Sequence, residues 1–360
     1  MHLISLQYAR FAAAFAVVLL HATVEVGAIA APPQDPLLVG AFGVDLFFVI
    51  SGFVMWITTA GRPAEPWRFL RRRIARIAPL YWALTLLAAA KAAAVGELSL
   101  AHLLASLFFI PMHDPQWGTI VPVLVVGWTL NMEMFFYLLF ALALQLGERP
   151  RLVAIVGMLT AIGLGRWFVF EPQGAILTHL TDPLVLEFAG GVALGEAWRR
   201  GWLKGPSRAS LRLIVIGAFA AAAAGGVALA WRVFPGADLT HWRGVGYGVP
   251  ALFACAAFLV AEPLVARRPV GLLKFLGDAS YSTYLAHTMC IAAFGVAFRA
   301  LPDGAIGPAD YWPAVALVVA AAHVAGAVVH VALEKPLTAR AQRLLEGGRP
   351  AAPRPKGALN

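Results

Sequence analysis

The sequence predicts an all-α integral membrane protein of about ten transmembrane helices, with both termini on the cytoplasmic side. Three observations predict it. The chain is 60% hydrophobic and only 13% charged, with a mean hydropathy of +0.76, far more apolar than a soluble chain of 360 residues. Apolar runs of about 18 or more residues recur along it, each long enough to cross roughly 30 Å of hydrocarbon. The basic residues gather between alternate runs, as the positive-inside rule requires of cytoplasmic loops.

The spans are expected at 8–29, 38–59, 77–95, 123–146, 152–169, 180–198, 211–231, 243–262, 278–299 and 311–333. The run from Ala101 to Met112 is too short to cross and reads as a re-entrant or interfacial piece before the fourth span. With a cytoplasmic N-terminus, inner loops hold the Arg62–Arg76 cluster, Arg149 with Arg151, the group from Arg199 to Arg212, and Arg267, Arg268 and Lys274. Of the 28 lysines and arginines, only Lys91, Arg166, Arg232, Arg243 and Arg299 fall at outer ends. One missed helix would scramble that asymmetry. The formal net charge of +9 is therefore explained by loop bias and anionic headgroups, with no basic domain that would hold nucleic acid. Residues 1–340 form the membrane domain, and 341–360, rich in Pro, Gly and Arg, read as a disordered cytoplasmic tail. Ala28-Ile29-Ala30 resembles a signal-peptidase site, but His21 is out of place in a leader's apolar stretch, and the first charge cluster follows the second span. Cys255 and Cys290 both fall within spans and indicate no disulfide framework.

Buried ionisable groups carry the functional reading. Arg10 and His21 lie eleven residues apart in the first span, so both leave one face of a helix about 16–17 Å apart along its axis. Charged and titratable groups inside a span are costly and default to functional candidates. Arg73 and Arg76, at i and i+3 where the third span enters the membrane, share a face and offer planar forks suited to phosphate. Arg71 and Arg72 read as ordinary inner-side anchors. Glu133, in mid-span four, reaches the depth of His21, which allows either a His–Glu pair or a carboxyl serving helix packing. In span two, Asp45 suits a solvated outer cavity, Ser51 sits near mid-depth, and Gly43 and Gly52 permit close helix contact. The hydroxyl-rich run Ser280 to Tyr284, followed by His287, suggests a polar groove that interhelical hydrogen bonding largely explains, with His287 as a second catalytic group the alternative. Glu187 reads as structural, and Glu334-Lys335 as a helix-end charge pair.

In this order these segments resemble the acyltransferase 3 family of integral-membrane O-acyltransferases, nearly end to end. The resemblance rests on Leu6 to Arg10 with His21, Gly43 to Phe53, Arg72 to Trp82, Trp128 to Tyr137, Ser280 to His287, and Glu334 to Leu337. The family's basic-residue, ten-spacer, histidine motif falls on Arg10 and His21; its Arg-x-x-Arg motif falls on Arg73 and Arg76; its membrane glutamate falls on Glu133. The resemblance implies transfer of an acyl group, usually acetyl, from cytoplasmic acetyl-CoA to a hydroxyl of an extracytoplasmic polysaccharide or lipid-linked sugar. The Thr129 form of the glutamate motif is similar to the exopolysaccharide-acetylating subgroup.

Under that reading, His21 and Glu133 are catalytic and Arg10, Arg73 and Arg76 bind the CoA phosphates, with no metal and no permanently bound cofactor. The location is the bacterial inner membrane, with membrane lipids as surroundings. His113, Gln116 and Trp117 offer a sugar-facing surface or an interfacial anchor. The rival expectation is a secondary transporter or flippase using the same buried ions as a substrate or proton pathway; a structural membrane subunit would leave those ions unexplained.

Overall fold

The computed structural model describes residues 3–31, 37–203, 243–302 and 305–345. Among them every element is helical apart from one isolated antiparallel bridge, His113 to Ile120. The helices are α1 (Ile4–Ala30), α2 (Phe42–Thr59), α3 (Pro66–Ala94), α4 (Leu100–Leu107), α5 (Trp128–Ala143), α6 (Glu148–Phe168), α7 (Gly174–Leu180) and α8 (Val185–Arg199). After the undescribed stretch come α9 (Val249–Val265), α10 (Gly271–Asp278), α11 (Ser280–Arg299), α12 (Tyr311–Val329) and α13 (Lys335–Leu345).

Seven helical stretches among the described residues are long and apolar enough to cross a membrane: Ile4–Ala30, Val39–Thr59, Pro66–Ala94, Val125–Ala143, Glu148–Phe168, Gly246–Val265 and Pro308–Leu345. Each overlaps an expected span. The span expected at 180–198 is the 15-residue α8, and that at 278–299 is α11, whose polar opening turns lower its apolar character. The span expected at 211–231 lies outside the described residues. Helix α3 begins eleven residues before the apolar run, because Pro66 starts a helix well and the arginine cluster continues it. Helix α13 extends to Leu345, so the first residues read as tail are helical, and the rest of the tail lies outside the described residues. The short run after α3 is the eight-residue α4, closed by Ser99 at its start.

Lipid offers no hydrophobic drive for helix association, so close packing must come from small residues and interhelical polar contacts. Both are visible. A Cβ on Gly43 would meet the carbonyl oxygen of Ala13, and one on Gly52 would meet that of Phe188. These two glycines let α2 lie backbone to backbone between α1 and α8, as the sequence leads one to expect. Aromatic rings fill the space beyond: Phe48 and Phe136 pack on Phe188 at 4.7 and 4.3 Å between ring centres.

Polar contacts join helix ends into two groups. In one group, Glu262 from α9 accepts from the backbone N–H groups of Ile4 and Ser5 at 3.0 and 2.7 Å, closing the start of α1. There too, Glu148 at the start of α6 accepts from Gly61 after α2 and pairs with Arg199 at the end of α8. Arg71 donates to the carbonyl of Leu345 at 2.9 Å. In the other group, Glu25 pairs with Arg299 at 2.7 Å, and Tyr311 donates to the Thr23 carbonyl at 3.3 Å. The first group holds the basic loops.

Candidate functional site

Between α1, α2, α3, α5 and α11 lies a cavity of about 230 Å³. Arg10, Arg73 and Arg76 line it together with Glu133, Ser51, Tyr137, Tyr281 and Tyr284. The three arginines that the sequence singles out are thus brought to one space from two helices 60 and more residues apart. Arg10 donates to Gln7 one turn away at 3.3 Å, which steadies the head without neutralising it. The Arg73 guanidinium lies over Phe69 and Tyr137, 5.5 and 5.9 Å from the ring centres, a contact that holds a cation by ring quadrupoles rather than by a carboxylate. Its Nε is buried without a hydrogen-bond partner. A forked, weakly hydrated cation kept this way retains its donors for a ligand.

Glu133 faces the same cavity. Tyr137, one turn along α5, donates a short hydrogen bond to its Oε1, and Ser51 from α2 donates to the same oxygen at 3.0 Å. The geometry of i and i+4 on a helix makes the first contact natural, and the α2–α5 approach makes the second. Glu133 therefore braces the tyrosine under Arg73. The sequence allows a direct His21–Glu133 pair; the structure gives Glu133 to Ser51 and Tyr137 and gives His21 other partners. Equal depth in the membrane fixes height but not the direction in which each helix turns its side chains.

His21 is on α1, three turns beyond Arg10, as the eleven-residue spacing demands. Its Nδ1 lies 2.9 Å from the Val17 carbonyl and 3.3 Å from Nε2 of His287 on α11. His287 in turn has Nδ1 2.6 Å from the Tyr284 carbonyl. A carbonyl can only accept, so both Nδ1 atoms carry the proton; the network assigns these tautomers. In the neutral rings each Nε2 then holds a lone pair. The His287 lone pair receives the second branch of the His21 N–H, and His21 keeps Nε2 as its basic atom. Tyr284 links the two clusters: its ring lines the cavity, 5.9 Å between centres from the His287 ring, and its hydroxyl donates to Val126 at 3.2 Å and contacts Thr129 at 3.1 Å. The sequence offers His287 only as a separate catalytic candidate; the structure makes it the partner of His21. Its place seven residues along from Ser280 in a hydroxyl-rich run is the signal.

Two other expectations change. Asp45 is completely buried and paired with Arg243, with contacts of 3.2 and 2.8 Å, so it does not face a solvated outer cavity. Arg243 also donates to the Ala41 carbonyl at 3.1 Å and lies over Trp128 and Tyr247. A buried carboxylate needs such a partner, and the outer-end arginine of the eighth expected span supplies it. Glu334 is not a helix-end mate for Lys335. A π-helical turn, His330–Glu334, swings it inward to accept from Ser282 Oγ at 2.6 Å and to meet His330 Nδ1 at 2.7 Å. Glu187 is buried against Gly248, and neither of its carboxylate oxygens has a hydrogen-bond partner among the described residues. Trp117 is 64% exposed at the tip of the loop closed by the His113–Ile120 bridge, with Asp114 accepting from the backbone N–H groups of Gln116 and Trp117 at 2.9 Å. Among the described residues, no group of three or more His, Cys, Asp or Glu side chains is placed to hold a metal ion.

The comparisons with known proteins bear on this constellation. Residues 3–330 match the family model described as an acyltransferase domain. The exopolysaccharide production protein ExoZ of Rhizobium meliloti (strain 1021) is 38% identical over 317 residues, covering 86% of this chain and 93% of that protein. The acyltransferase MdmB of Streptomyces mycarofaciens is 29% identical over 351 residues, covering 89% of this chain and 86% of that protein. No solved structure matches the chain.

Proposed function

Because this chain belongs to the acyltransferase family and is an acyltransferase enzyme of the membrane, we propose that it moves an acetyl group from cytoplasmic acetyl-CoA to a hydroxyl of an exported polysaccharide. The observation that carries the reading is the cavity shared by Arg10, Arg73 and Arg76, three permanent cations turned into one space at the end of the bundle that holds the basic loops. Coenzyme A brings several phosphate charges, and guanidinium forks in surroundings of low dielectric bind phosphate through charge-assisted hydrogen bonds. The positive-inside rule assigns that end to the cytoplasm, where acyl-CoA is made. The exopolysaccharide acceptor follows from the name of the ExoZ relative and from the Thr129 form of the glutamate motif.

In this reading the phosphates rest on Arg73, Arg76 and Arg10, and the long thin pantetheine arm rises toward the level of His21. The rise from Arg10 to His21, about 16–17 Å on an α-helix, suits that arm. His21 Nε2 takes the proton of the acceptor hydroxyl as its oxygen attacks the thioester carbonyl carbon. The C–S bond breaks, and the CoA thiolate leaves with the proton returned by the imidazolium. Glu133, through Tyr137, holds Arg73 in place. The bacterial inner membrane is the setting this direction of transfer requires.

The test is direct. Purified full-length protein, given acetyl-CoA and the exported polysaccharide of its own cell, should release free CoA in step with ester-linked acetate on the glycan. Movement of a solute across proteoliposomes without any CoA release would identify a transporter instead.

A further inference from the structure

We propose that His287 is the positioning residue of the reaction: its Nε2 lone pair holds the His21 ring through Nδ1–H, so that His21 Nε2 faces the acceptor hydroxyl as the base. The inference rests on the acyl-transfer reading above and adds to it the group that orients the base. Nucleophilic and general-base histidines work only in one tautomer and one ring orientation, and a third group commonly fixes both. In this chain the third group is a neutral imidazole.

The contacts make the case. His21 Nδ1 has two acceptors, the Val17 carbonyl at 2.9 Å and His287 Nε2 at 3.3 Å. The Val17 contact is within one helix and fixes the tautomer. The His287 contact comes from another helix and pins the ring from the side, with the ring centres 4.9 Å apart and the planes inclined by 58°. His287 can play this part because its own proton is committed to the Tyr284 carbonyl at 2.6 Å, which turns Nε2 into an acceptor. His287 is completely buried, in the opening half of α11, so no water competes for that lone pair. When His21 Nε2 receives the hydroxyl proton, the resulting imidazolium strengthens its Nδ1–H donation to His287. No proton leaves His21 toward His287, and none is gained or lost in the cycle.

The experiment uses the purified full chain with acetyl-CoA and the cell's exported polysaccharide, comparing wild type, His287→Gln and His287→Leu. Glutamine retains an acceptor oxygen near the position of Nε2, whereas leucine keeps bulk and loses the acceptor. Orientation of the base is a kcat effect: His287→Leu should lose about tenfold or more in kcat, with KM for acetyl-CoA within about twofold, and His287→Gln should recover most of the loss. A merely structural role would give equal losses in both variants or a change in acetyl-CoA KM, and either would overturn the inference. Near-normal kcat in His287→Leu would overturn it as well, while leaving acyl transfer standing. An inactive wild type would reject the acyl-transfer reading itself.

Discussion

Tyr137 and Glu133, one turn apart on α5, share a short hydrogen bond beneath the guanidinium of Arg73. The pair turns the membrane glutamate toward the arginine-lined cavity, away from the imidazole at the same depth. It follows that removing the tyrosine hydroxyl acts on binding. A hydrogen bond is worth about 1 kcal/mol net, so Tyr137→Phe should raise the acetyl-CoA KM roughly fivefold with kcat nearly unchanged. Glu133→Gln should act in the same direction. A fall in kcat at constant KM in both variants would return Glu133 to the base.

Arg73 and Arg71, two residues apart, have different tasks. Arg71 donates to the Leu345 carbonyl and lies over Trp67, so it ties α13 to α3, while Arg73 lines the cavity. Charge-assisted hydrogen bonds contribute about 1.5–3 kcal/mol each, so Arg73→Ala and Arg76→Ala should each weaken acetyl-CoA binding roughly ten- to hundredfold. Arg71→Ala should change it less than about threefold. Isothermal titration on purified protein reads this, and equal losses at all three would show general attraction instead of a site.

Asp45 and Arg243 form a buried ion pair, 2.8 Å at closest, across 198 positions of sequence. Leaving one charge of such a pair unpartnered costs about 3–5 kcal/mol. Asp45→Ala should therefore lower the thermal unfolding midpoint strongly. Asp45→Ala combined with Arg243→Met should recover part of that loss, and a double variant no better than the single would show that the pair is not what holds this end.

The grouping of helix ends makes a topological prediction. A cysteine placed at Arg62, in a variant lacking Cys255 and Cys290, should react with an impermeant maleimide only after the inner face is opened. One placed at Asp114 should react in intact cells. The reverse pattern would invert the orientation.

How much of this was legible in the sequence depends on what each inference needed. Long apolar runs and rare charges are properties of single segments, so the helices emerge from spacing, and Arg10 and the Arg73–Arg76 pair each stand out within their own segment. The close contacts at Gly43 and Gly52 follow from small size and are borne out. Partner choice across helices was not legible. It depends on how each helix is rotated, and rotation is set by packing that a single segment does not encode. Hence Glu133 meets Ser51 and Tyr137 while His21 meets His287. Glu334 escaped for a second reason: the π turn at His330–Glu334 changes the angular step on which helical spacing relies. Asp45 found an arginine that charge bias alone had set at an outer end.

If acetyl passes from CoA to an exported glycan with His21 as the base, the glycan itself records it. The most direct measurement is alkali-labile acetate on the purified exported polysaccharide of a deletion strain, complemented with wild type or with His21→Ala at matched protein levels. Deletion should remove the acetate, wild type should restore it, and His21→Ala should leave it at or near the deletion level. Full acetate in the deletion strain, or full restoration by His21→Ala, would contradict the account.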